Sequence, residues 1–102
     1  PSSPPPAPAG IEKKAPTRPA RERADADFRQ ALALAGADRG NEAIALLLDV
    51  LRDDGGHVSS RQLLVRLLIG QGRQTEAMAL LAEGLATQPG QVQWATTLAR
   101  LQ

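Results

Sequence analysis

The feature that most restricts what this chain can fold into is an internal echo. Gly40-Asn41-Glu42-Ala43-Ile44 returns as Gln74-Thr75-Glu76-Ala77-Met78, displaced by 34 residues. In the same register Leu46 falls on Leu80, Leu47 on Leu81 and Leu51 on Leu85. A fixed period of this length marks one supersecondary unit used repeatedly, each copy too small to bury its own apolar face and stabilised by its neighbours. Within a copy the periodicity is helical: Ala43, Ile44, Leu47, Val50 and Leu51 follow the i, i+1, i+4, i+7, i+8 spacing of one helix face.

The breaks in the pattern predict five helices. The first is expected from about Arg21 to Ala35, with Phe28, Ala31, Leu32 and Leu34 in its stripe and Gly36 as a stop. The second is expected from about Arg39 to Arg52, ended by Asp53-Asp54-Gly55-Gly56. Ser59 with Gln62 reads as a capping box for a third helix ending near Gly70. A fourth spans about Gln74 to Thr87, and a fifth runs from Val92 to Gln102, where Leu98-Ala99 repeat the register of Leu64-Val65. The third helix is apolar nearly all round, through Leu63, Leu64, Val65, Leu67, Leu68 and Ile69, so neighbours must flank it on several sides. Glu42 and Glu76, near the starts of the second and fourth helices, favour those ends through the helix dipole by roughly 0.3–1 kcal/mol each.

The expected class is therefore all-α, two helical hairpins (about 21–54 and 57–88) plus a terminal helix (about 91–102) in one repeat domain over 21–102. Residues 1–20 stand apart as a proline-rich linker. Seven of the eight prolines lie at or before residue 19, with Ile11 the one large apolar residue there, a composition that cannot bury a core. Its Pro-x-x-Pro spacings could dock in an aromatic-lined groove, but a spacer of roughly 60 Å, at about 3.1 Å per residue, is the simpler reading. With no cysteine there are no disulfides and no thiolate chemistry, which fits a reducing or an oxidising compartment equally. No run approaches the roughly 18 apolar residues of a membrane span. The chain starts without Met and stops within a repeat, so it reads as a piece of something longer.

Chemistry-bearing residues are few. His57 is the single histidine, beside Gly-Gly in an expected turn, and the linear sequence places no nucleophile or carboxylate around it in a defensible arrangement. One histidine and no cysteine leave only carboxylates for a metal, and Asp53-Asp54 lacks calcium-loop spacing, so no metal is expected. Gly70-Gln71-Gly72 follows a helix and lacks the Gly-Lys-Ser/Thr ending of a phosphate loop. Lys13, Lys14, Arg18, Arg21 and Arg23 are basic, but a net charge of +1 and the absence of interleaved aromatics argue against nucleic acid. No cofactor and no catalytic residue are expected.

The spacing of Leu64-Val65, Leu68, Gly72, Glu76-Ala77, Leu81, Gly84-Leu85 and Pro89 resembles the tetratricopeptide repeat. The likeness covers about residues 24–102; in the first copy Gln30 stands where Leu is usual and Gly55 replaces the closing Pro. The resemblance implies right-handed superhelical stacking with a concave groove lined by the first helix of each hairpin. By register those positions are Asp25, Phe28, Arg29 and Leu32, then Gln62, Arg66 and Ile69, then Thr96 and Arg100. Arg66 and Arg100 would stack as a basic ladder beside Phe28 and Leu32, which implies a protein partner with an acidic and apolar segment. Chaperone-tail clamps of this family use Lys and Asn at the inward positions, which are absent here. Trp94, Leu98 and Leu101 form a candidate edge, to be covered by a homodimer or another chain, or packed inward as a cap.

Residues 61–65, 80–85, Pro89 and 98–102 are also similar to the C-terminal repeats of the MshN family, biogenesis proteins of mannose-sensitive haemagglutinin (MSHA) pili. That resemblance implies a scaffold for type IV pilus or secretion assembly in the bacterial periplasm, anchored in the inner membrane by a segment outside this chain. A cytoplasmic repeat adaptor and an accessory domain of a larger enzyme are the alternatives.

Overall fold

The computed structural model describes residues 18–102, so the expectations for the proline-rich stretch lie almost wholly outside the described residues. Among the described residues there are five helices and no strand: α1 (Arg18–Gly36), α2 (Gly40–Asp53), α3 (Val58–Gly70), α4 (Gln74–Thr87) and α5 (Val92–Leu101). Each helix packs on the next in sequence, and α1 also touches α3. This is the contact pattern of α1–α2 and α3–α4 hairpins laid side by side, with α5 closing on α4.

The core runs along the stack. Leu47, Leu64, Leu68 and Leu81 are fully buried, each stabilising the fold by roughly 1.5–3 kcal/mol relative to exposure. Ala31, Ala43 and Ala77 have no exposed surface, and their small side chains let helices approach closely. The all-round apolar α3 is explained by its position, in contact with α1, α2 and α4: Leu63, Leu64, Val65 and Leu68 are buried, and Leu67 and Ile69 are half-buried.

The repeat extends to individual hydrogen bonds. In the α1–α2 turn Arg39 N–H donates to Leu34 O at 2.9 Å; in the α3–α4 turn Arg73 N–H donates to Leu68 O at 2.9 Å. Asp54 N–H to Val50 O and Gln88 N–H to Gly84 O, 2.7 and 2.8 Å, likewise correspond. Asp38 (φ 64°) and Gly72 (φ 76°) occupy equivalent left-handed positions. An αL residue lets the chain reverse between hairpin helices, which Gly adopts freely and Asp tolerates.

Several local expectations are corrected. The first helix ends at Gly36 as expected, but the left-handed residue that reverses the chain is Asp38, two residues later. The helix also begins at Arg18, three residues before the expected start, with Pro19 in its first turn, where a missing N–H costs nothing. No capping box forms from Ser59 and Gln62: α3 starts at Val58 behind His57, with no side-chain cap bond. In the turn Asp53-Asp54-Gly55-Gly56 that ends α2, Asp54 is buried.

Candidate functional site

The first helices of the successive units, α1, α3 and α5, carry the positions expected to face a partner. Between α3 and α5 lies a cleft of about 260 Å³ lined by Gln62, Val65, Arg66, Ile69, Leu81, Gln93, Trp94 and Thr97. Three of the expected groove residues, Gln62, Arg66 and Ile69, meet there. Phe28, Arg29, Leu32 and Arg100 lie outside this lining. Leu32 is 46 % exposed and Arg29 is exposed, while Phe28 is half-buried with its ring centroid 6.0 Å from that of His57. On the candidate edge, Trp94 is buried within the chain and Leu98 and Leu101 are half-buried.

Trp94 owes its place to two neighbours. Gly84 on α4 leaves room for the indole, since a Cβ there would lie 2.6 Å from Trp94 Cζ3. Arg61 on α3 brings its guanidinium carbon to 6.0 Å from the indole centroid, at the outer limit of a cation–π contact. The Arg61 side chain is only 5 % exposed, so its charge must be satisfied internally. It donates to Leu80 O at 2.8 Å, Glu83 Oε1 at 3.0 Å and Gly55 O at 3.0 Å. Sequence reasoning missed this residue, although a signal existed: Arg61, Leu64, Val65 and Leu68 follow helical spacing on one face, and the other three are buried.

The arginines divide into two groups. Arg39 and Arg73 each grip the glutamate three residues on through two bonds, with the closest contacts at 2.6 and 2.7 Å. These guanidinium hydrogen bonds hold the Glu42 and Glu76 carboxyls below the usual range and raise Arg39 and Arg73. Arg52 pairs with Asp49 at 2.6 Å, and Arg21 stands 3.9 Å from Asp54. Among the described residues Arg29, Arg66 and Arg100, together with Arg23, have no such partner. Neither α3 nor α5 contains a carboxylate, so the cleft between them is cationic and donor-rich.

A second cluster was not legible at all. His57 Nε2 lies 2.7 Å from Asp25 Oδ1, and His57 Nδ1 lies 2.7 Å from Ser60 Oγ. The residue types are those of a hydrolytic triad, yet Ser60 has no exposed surface, so its hydroxyl cannot meet a substrate. The cluster instead ties α1 to the start of α3. Asp25 is brought 32 residues along the chain to His57 by the packing of one hairpin on the next, which local spacing does not show.

The described residues contain no group of three or more His, Cys, Asp or Glu placed to hold a metal, and no helix long and apolar enough to cross a membrane. The family model described as tetratricopeptide repeat matches residues 34–101. No curated protein matches the chain, and no solved structure does.

Proposed function

This chain belongs to the tetratricopeptide repeat family, and on that premise we propose that it is a non-enzymatic scaffold docking a partner protein on the face formed by α1, α3 and α5. The observation that carries the reading is the division of the arginines. Those along the α2 and α4 starts are neutralised within the chain, whereas Arg29, Arg66 and Arg100 on the first helices are left without counter-charges. Solvent-facing guanidinium groups beside the apolar Leu32 and the α3–α5 cleft suit a segment that is acidic and apolar, and complementary charge also speeds encounter. The further reading is a role in assembling a type IV, MSHA-like pilus or a related secretion machine, in the bacterial periplasm and anchored to the inner membrane. It rests on the sequence likeness at residues 61–65, 80–85 and 98–102.

The test is capture from an envelope extract of the native host by the full chain, beside an Arg66→Glu/Arg100→Glu variant matched for helicity and thermal stability. Capture of pilus or secretion components by the parent alone is the expected result. Equal capture by both forms places the contact away from the arginines. Capture of none of these components by either form removes the pilus reading.

A further inference from the structure

We propose that the α3–α5 cleft is an anchor site for one apolar side chain of the partner with a carboxylate beside it, an Asp or Glu within an internal segment. This rests on the scaffold reading and gives it a place and a chemistry. At about 260 Å³ the cleft falls below the roughly 300–1,000 Å³ usual for small-molecule sites, and its size suits a side chain better than a cofactor. Its apolar lining comes from Val65, Ile69, Leu81 and Trp94.

The polar groups decide what accompanies that side chain. Arg66 in the lining has no acceptor, and α3 and α5 supply no carboxylate to provide one. Trp94 Nε1, itself buried, is a second donor without an acceptor. The Cε3–Cζ3 edge of the indole faces Gly84, so Nε1 is on the opposite edge, away from α4. Of the two, Arg66 is the one that solvent and a ligand can reach, and an exposed guanidinium without an acceptor suits a carboxylate, while the sealed Trp94 indole reports on what enters the cleft. Arg100 follows Thr97 by three residues on α5 and offers a further guanidinium along the same helix.

The chain has a single tryptophan, so its indole N–H gives one unambiguous resonance. The full chain would be titrated with a blocked peptide of alternating Asp and Leu, and with counterparts replacing Asp by Asn or Leu by Ala. The Asp–Leu peptide is expected to move the Trp94 indole signal, with both counterparts weaker by about tenfold. Arg66→Gln, at an exposed position, is expected to weaken the Asp–Leu peptide about two- to fivefold and leave the Asn peptide unchanged, the upper range for an exposed ion pair. Equal affinity for Asp and Asn peptides overturns the proposal. So does binding that moves Phe28 and Leu32 but not Trp94, or no binding by any of the three. None of these results touches the scaffold reading, which stands or falls on capture from the envelope.

Discussion

Arg61 and Trp94 meet over a single glycine: a Cβ at Gly84 would lie 2.6 Å from both Arg61 Cδ and Trp94 Cζ3. Gly84→Ala sets two effects against each other. Replacing a helical glycine gains about 1 kcal/mol of propensity, but overpacking a filled site costs about 1–3 kcal/mol, and the ring cannot swing aside as an alkyl tip can. The net expectation is a loss of stability in urea unfolding. Gly36→Ala, helical and with nothing within 4 Å of the added methyl, is the control and is expected to gain about 0.4–1 kcal/mol. Two gains of equal size would show that the Arg61–Trp94 contact does not hold its position.

That junction shows where the sequence was legible and where it was not. The 34-residue echo placed the five helices, and the apolar pattern of α3 announced a helix with neighbours on several sides, because both depend on period alone. Gln62, Arg66 and Ile69 were found by register and do share a cleft. Arg61 was overlooked since a charged residue on a buried stripe is unusual, and its acceptors at Gly55, Leu80 and Glu83 come from two other segments. Asp25 and His57 were invisible for the same reason, being joined only when hairpins stack. The Ser59 capping box failed because the helix is capped at His57, two residues earlier, a shift that pattern reading does not resolve.

The equivalent turns at Asp38 and Gly72 allow a test of conformation without contacts. A Cβ on Gly72 meets nothing within 4 Å, so any cost of substitution there is due to its φ of 76°. Gly72→Asn is expected to stay within about 0.5 kcal/mol of the parent, since Asn tolerates the left-handed region. Gly72→Val should lose more than about 1 kcal/mol, because a β-branched side chain is a true outlier there. Denaturant midpoints for the two variants check the order, and equal midpoints would argue that the turn relaxes out of its left-handed form.

Acid should weaken the fold through the paired glutamates. Arg39 and Arg73 lower the Glu42 and Glu76 carboxyls beneath their ordinary value of 4.5, so both ionised forms are favoured in the folded state. The unfolded chain then binds more protons as pH drops, and the contribution, present above pH 4.5, is lost as pH falls through the lower folded values. A Glu42→Gln/Glu76→Gln variant should show a shallower loss of thermal midpoint below pH 4.5 than the parent. Both glutamates are solvent-facing, so added salt should shrink the difference. Parallel acid limbs at low salt would rule the pairs out as contributors.

The Asp25–His57–Ser60 cluster is expected to behave as a clasp between hairpins and not as a nucleophilic centre. Ser60 is sealed from solvent, so a serine-directed fluorophosphonate should leave it unlabelled, and a covalent adduct would show that the hydroxyl is reached. His57→Phe preserves a ring beside Phe28 but removes the partner of the buried Ser60 hydroxyl, which should cost about 1–3 kcal/mol. Asp25→Asn should cost less than about 1 kcal/mol, since Asp25 is 53 % exposed and water replaces what it loses. The discriminating readout is amide exchange. Loss of the clasp should raise exchange in α1 ahead of α4, because α1 is held to α3 across this contact while α4 packs on α3 and α5 independently of it. Uniform acceleration through all five helices would mean that the cluster contributes only global stability.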